Sequence, residues 1–142
     1  MMNITFKVFN KLPIEAKQIR ETVFAIEQGF NEEFDTSDNN ALHVVMYDND
    51  NPIGTSRIIY SDKHRSYTIG RFAIIKNYRK LGLGRKLIEF TEKVIIEHYG
   101  HIEIGLGAQL RAEPFYRKMG YSLTDDRYLD ENYPHVWMIK KI

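Results

Sequence analysis

The sequence predicts an α+β (mixed α/β) fold with one central, mixed but mostly antiparallel sheet, and three observations carry the prediction. Three strand-like runs, Leu42 to Tyr47, Ile53 to Tyr60 and Tyr67 to Ile75, follow one another across short polar turns, which makes an antiparallel meander. A helical pattern then separates the third run from a further alternating run, so those two strands should lie parallel through a right-handed crossover. Where that strand meets that helix, the chain carries a basic, glycine-containing loop, Arg79-Lys80-Leu81-Gly82-Leu83-Gly84-Arg85-Lys86.

Ile4 to Phe9 alternates apolar and polar residues and reads as a half-buried strand. Pro13 suits the first helical position, and Ala16, Ile19, Val23 and Ile26 recur at helical spacing until Gly29 stops the helix. The segment Asn31 to Asn40 is acidic and polar and reads as a loop. After the meander, Leu83, Leu87, Phe90, Val94 and Ile95 form the apolar stripe of a helix that runs to about Tyr99, with Glu89 and Lys93 one turn apart and Gly100 ending it. His101 to Leu106 alternates again. In the next helix Ala112, Phe115, Tyr116 and Met119 share a face, with Pro114 in the opening turn and Gly120 at the C-cap position. Tyr121 to Leu123 and Val136 to Ile139 are the last strands, joined by the polar Thr124 to Asn132. The order is β-α-β-β-β-α-β-α-β-β.

A chain of 142 residues with 43% hydrophobic content fits one compact domain, residues 1–142, able to bury roughly two-thirds of its unfolded surface. No run approaches the ~18 apolar residues of a membrane span, and the start Met1-Met2-Asn3-Ile4 lacks a basic segment followed by an apolar one, so a cytoplasmic location is expected. With no cysteine, disulfides, thiolate metal sites and a cysteine nucleophile are excluded.

The net charge of +1 conceals an asymmetry. Between Glu21 and Ser56 there are eight acidic residues and no Lys or Arg, whereas Arg57 to Lys93 holds ten basic residues against three acids. The first region suits a cation and the second an anion. The basic set is short and the rest of the surface would repel phosphates, which argues against nucleic acid as the partner.

The basic loop explains the anion. The first turn of a helix leaves backbone N–H groups unpaired, and the helix dipole adds roughly half a positive charge there. Gly82 and Gly84 remove side chains that would keep an anion from that backbone and allow left-handed conformations. Arg79, Lys80, Arg85 and Lys86 add charge, so the expected ligand carries phosphates. Neither the nucleotide P-loop spacing nor the third glycine of a dinucleotide fingerprint is present, since position 87 is Leu87.

Arg79, Gly82 and Gly84 match R/Q-x-x-G-x-G/A, and Ala112, Phe115, Tyr116, Gly120 and Tyr121 match A-x-x-F/L-Y-x-x-x-G-F/Y. With the element order, these motifs resemble the GCN5-related N-acetyltransferase (GNAT) superfamily over most of the chain. A narrower likeness is to members with R-x-x-V-F-x-x-E-Q in the first helix, met by Arg20, Val23, Phe24, Glu27 and Gln28, and with P-H-x-x-M near the end, met by Pro134, His135 and Met138. Two departures are Gln109, where many members have asparagine, and Gly70-Arg71-Phe72, which lacks a glutamate that some members use to collect the amine proton.

The resemblance implies a GNAT-like sheet splayed between strands four and five, and acetyl-coenzyme A as acyl donor with no metal. Its pyrophosphate would lie on the N–H groups of Lys80, Leu81, Gly82, Leu83, Gly84 and Arg85, beside Arg79. The backbone of Phe72, Ala73 and Ile74 would pair with the pantetheine amides like an added strand, with Gln109 and Phe115 also at the cofactor. Tyr116 would be the acid for the leaving thiolate. The acceptor would be a primary amine of a small molecule or peptide, bound near Glu27, Gln28, His43 and His135. The base is open among Glu27, His43, Glu103, His135 and a water chain. A second class is also open: a coenzyme-A-binding sensor or scaffold without turnover, consistent with the missing glutamate. A homodimer is compatible with this size of domain.

Overall fold

The computed structural model describes residues 1–29, 36–130 and 132–142. Its elements are β1 (Ile4–Phe9), α1 (Ile14–Arg20), β2 (Leu42–Asp48), β3 (Asn51–Ser61), β4 (Ser66–Ile74), α2 (Leu83–Tyr99), β5 (Glu103–Gln109), α3 (Glu113–Lys118), β6 (Ser122–Asp130) and β7 (Tyr133–Lys141). The strands form one sheet in the order β1-β2-β3-β4-β5-β7-β6. Every neighbouring pair is antiparallel except β4 and β5. No helix among the described residues is long and apolar enough to cross a membrane.

Alternation along the strands sends side chains to two cores. Val44 and Met46 of β2 join Leu83, Leu87, Ile88 and Ile95 of α2, Tyr116 of α3 and Met119 just after it on one face. Val45 and Tyr47 of β2 join Ala16, Ile19, Val23 and Phe24 on the other face, so α1 covers the sheet from the side opposite α2. The α2 bounds agree with the stripe that predicted them.

The first helix differs from its expected form. Pro13 has extended backbone and sits just outside α1 as its N-cap. Beyond Arg20 the helix continues as a π-helical segment, Glu21–Glu27, in which the Gln28 N–H donates to the Val23 carbonyl five residues back at 3.1 Å. The wider turn rotates Phe24 inward and leaves Ile26 80% exposed, although the spacing of apolar residues had put Ile26 in the stripe.

The larger correction is β6. The strand expected over Tyr121 to Leu123 runs on through Ser122–Asp130, into residues read as a polar connection, and β7 spans Tyr133–Lys141 instead of four residues. As an edge strand, β6 has no second neighbour and exposes most of its side chains, so its sequence shows no alternation.

A buried ion cluster fixes the chain entering β2. Asp38 lies in a 3-10 turn, Thr36–Asn40, and accepts two hydrogen bonds from Arg20, at 2.9 and 3.2 Å, and one from Arg57 at 3.1 Å. Burial raises the Asp38 carboxyl, but the two guanidiniums more than offset this, so its pKa falls below the ordinary value. A carboxyl depressed on folding stabilises the fold above its unfolded pKa, and that contribution disappears as pH falls through the folded value. Asp38→Asn should therefore cost about 3 kcal/mol in urea unfolding at pH 7. The difference from the parent should narrow below pH ~4, near the unfolded carboxyl value.

Candidate active site

The sheet opens between β4 and β5. The two strands pair only at Thr68↔Gly105, and beyond that point residues 69–74 and 106–109 diverge along facing edges. A bulge in β4 accounts for the divergence. Thr55 of β3 faces Ala73 and Arg57 faces Gly70, which leaves Ser56 opposite both Arg71 and Phe72. Arg71 adopts φ +45°, a left-handed conformation that a non-glycine residue holds only when the surrounding structure imposes it. The result is a cleft of about 1230 Å³ whose walls include backbone of β4 without a strand partner on that side.

One end of the cleft is the basic corner. After a 3-10 turn, Lys76–Tyr78, Lys80 takes φ +63° and Gly82 takes φ +77°, and α2 begins with no side-chain cap on its first turn. Left-handed geometry is therefore supplied by Lys80 and Gly82, whereas Gly84 is helical. Gly84 is needed for another reason: a Cβ there would lie 3.2 Å from the Phe115 ring, which packs over the helix start. Lys76, Lys80 and Arg85 line this end. Leu83 points into the core and Leu81 into solvent, so only their backbone can serve a ligand.

Arg79, expected beside the pyrophosphate, lines this end of the cleft and is also held by protein partners. Its Nε donates to the Ile74 carbonyl at 2.8 Å, and its Nη2 pairs with Glu27 on the π-helical segment. It thus ties the corner to the end of β4 and to the first helix. The hydrogen bond from Arg79 is the main reason the Glu27 carboxyl lies below its usual pKa, against a smaller opposing effect of burial.

In the middle of the cleft, α3 supplies Phe115 and Tyr116. Tyr116 is 8% exposed and meets Phe72, Phe115 and Tyr121 edge-on, with centroids 5.0 to 6.1 Å apart. Burial pushes its phenol well above the ordinary value.

The opposite wall is polar and aromatic. Gln28 accepts from the Gln109 amide at 3.1 Å, Arg111 donates to the Gln109 carbonyl oxygen at 2.8 Å, and the Tyr133 hydroxyl donates to the Gln28 carbonyl at 3.1 Å. Gln109 therefore sits at the cleft, but its amide is engaged with protein on both ends. His135 also lines the cleft, 7% exposed, with Pro134 one residue beyond the last β5 pairing, where a missing N–H costs the β5 ladder nothing. Tyr128, Asp130 and Trp137 complete this wall. Tyr128 is raised to about 12 by burial and by Asp126 and Asp130. Its hydroxyl stands 2.0 Å from where a Cβ on Gly107 would fall, so a side chain there would displace the Tyr128 hydroxyl. Sequence reasoning missed Tyr128 and Asp130 because their strand was read as a connection; the only signal was a strand-favouring tyrosine inside an acidic run.

His43 is not part of the cleft. It is 1% exposed, its Nε2 meets the Asp38 carbonyl at 3.0 Å, and burial lowers its pKa. Glu103 starts β5 opposite Lys141, at the closed end of the sheet away from the splay. Among the described residues, three acids of the acidic run serve separate partners. Asp38 is buried between arginines, Glu27 pairs with Arg79, and Asp48 holds the Asn3 N–H and the Tyr78 hydroxyl. Glu32, Glu33 and Asp35 lie outside the described residues, as does the first half of the expected acidic loop.

A bulged β4, a splay against β5 and an N–H-rich helix start define an acetyltransferase-type fold. A family model for the acetyltransferase (GNAT) domain matches residues 13–142, and the chain belongs to that family. It is 34% identical to the uncharacterised N-acetyltransferase YjcF of Bacillus subtilis (strain 168), over 89% of this chain and 90% of the relative. Among solved structures, Escherichia coli ElaA superposes with a TM-score of 0.85 at 24% identity, covering 99% of both chains. An aminoglycoside 6'-N-acetyltransferase complexed with coenzyme A superposes with a TM-score of 0.70 at 18% identity, over 96% of both chains. These two likenesses show the shared fold.

The corner predicts a salt-dependent ligand. Replacing Lys80 and Arg85 together with alanine should weaken coenzyme A binding about tenfold at low ionic strength, or ~1.4 kcal/mol by calorimetry. The loss should shrink at about 0.5 M salt, where exposed charges are screened. An equal loss at both ionic strengths would place the phosphates elsewhere.

Proposed function

We propose that the protein transfers the acetyl group of acetyl-coenzyme A to a primary amine of a small molecule or peptide, by direct attack of the amine. One observation carries this reading: the β4–β5 gap opens at one end on the uncapped helix start and its cations, and in the middle on Tyr116 and the polar wall of β5 to β7. Such a gap fits a long donor with phosphates at one end and amides along its arm. The N–H groups from Lys80 to Arg85 would hold the phosphates, and the free edge of Phe72, Ala73 and Ile74 would pair with the amides, since backbone groups without strand partners need hydrogen bonds. Bound there, acetyl-coenzyme A supplies a thioester carbon open to attack.

Tyr116 is the donor for the leaving sulfur. A thiol titrates near ~8.5, so a thiolate cannot take the proton outright from a phenol raised above its usual ~10. The hydroxyl instead stays protonated and offers a hydrogen bond that strengthens as charge builds on sulfur. The role expected from sequence, an acid, becomes that of a fixed hydrogen-bond donor.

An alkylamine of pKa ~10 is about one part in a thousand neutral at pH 7, a deficit of roughly 4 kcal/mol. The cleft answers with polar groups on its acceptor wall, although Gly70-Arg71-Phe72 contributes no carboxylate. That gap in β4 is what favours the second reading, a coenzyme-A-binding module without turnover. Thiol release from acetyl-coenzyme A across a panel of amines separates the two: amine-dependent release supports transfer, and tight binding without release supports the module.

Tyr116→Phe keeps the ring contacts and removes the donor. The acetyl-transfer rate should fall by about 10², with affinity for coenzyme A nearly unchanged. A rate within about twofold of the parent would make Tyr116 a core residue only.

A further inference from the structure

We infer that His135 is the general base that takes the proton from the attacking amine, with its ring fixed in the reactive tautomer by the backbone. The inference rests on the acetyl-transfer reading above. His135 Nδ1 lies 2.8 Å from the carbonyl oxygen of Tyr133. A carbonyl only accepts, so Nδ1 carries the hydrogen, and in the neutral ring the lone pair belongs to Nε2. Tyr128 stacks on the imidazole with centroids 5.4 Å apart and planes 20° from parallel, which holds the ring in place. The residue lines the cleft on the wall that faces away from the α2 core, paired in register with Gln109 of β5.

The other described candidates are engaged or elsewhere. Glu27 lines the cleft, but its carboxylate is paired with Arg79. His43 and Glu103 do not reach the cleft. Asp130 also lines it, from β6, and carboxylates as a class are weaker bases than imidazoles by about 2.6 pK units, or several hundredfold. The titratable and charged groups that line the cleft with His135 include Tyr128 and Asp130 from β6, Tyr133 beside it, Arg71 from β4, Glu27 from the first helix and Arg111, which stands 5.5 Å over the Tyr133 ring.

In the step, the amine lone pair forms the bond to the acetyl carbon while Nε2 takes a proton from that nitrogen. The carbon–sulfur bond breaks with its electron pair staying on sulfur, where the Tyr116 hydroxyl donates. The products are an amide and a thiolate that gains its proton from solvent, and the imidazolium returns its own proton to solvent. Charges and atoms balance without a further reactant.

Two measurements test this. Nitrogen-15 NMR of the histidine side chains in the protein without ligands should show the His135 ring with hydrogen on Nδ1 and a bare Nε2; a dominant Nε2–H form overturns the inference. His135→Ala and His135→Gln, checked for folding by thermal melting, should lower kcat about 10² or more while coenzyme A affinity holds. The acidic limb of the parent's pH–rate profile should flatten in both variants, and added imidazole should restore His135→Ala at least tenfold, as about 1.4 kcal/mol of recovered barrier. A rate within about twofold of the parent, or a loss that imidazole does not restore, overturns it. If the parent itself releases no thiol with any amine, the acetyl-transfer reading fails and the base falls with it.

Discussion

The structure depends on one unmade set of hydrogen bonds. A parallel pair joined by a helix should zip along its length, since each ladder bond adds modest stability and an unpaired backbone group is costly to leave dry. Here β4 and β5 join at one register position and then part. The bulge at Arg71 and Phe72 turns β4 away, and β5 does not pair with the edge beyond it. The fold thus leaves stabilising backbone pairing unformed in the free protein and makes those groups the wall of a cleft.

Side chains then divide the cleft into unlike halves. Glycine at position 84 lets Phe115 close over the start of α2, so an apolar roof meets a rim of Lys80 and Arg85. Across the gap, Gln28, Gln109, Arg111 and Tyr133 form a hydrogen-bonded brace between the first helix, β5 and β7. Arg79 links the halves, because it reaches from the corner to Glu27. The π-helical segment is part of the same design: without the wider turn, Glu27 and Gln28 would sit at other angles on the helix.

Much of this was legible in the sequence, for physical reasons that differ by element. The α2 stripe and the strands of the meander bury whole faces, so burial imposed a period that the residues display. The glycine corner and the A-x-x-F-Y pattern were legible because backbone geometry and ring contacts admit few residue types. Edge strand β6 was legible only at its start, since the polar, mostly exposed residues from Thr124 onward carry no apolar alternation. Nor could spacing show that Arg79 would pair with Glu27, 52 residues earlier in the chain, or that Asp38 would be shared by Arg20 and Arg57. Charge in sequence records numbers of groups, and pairing in space decides which of them remain for a ligand.

The most direct test of the central claim is amide hydrogen exchange over residues 69–74, measured without and with saturating coenzyme A. If the free edge of β4 is the binding wall, exchange there should slow at least about tenfold when ligand is bound, with β1 and β6 unchanged. Saturation by calorimetry with no slowing on β4 would contradict the account, because the ligand would then bind without completing the strand edge that the bulge leaves open.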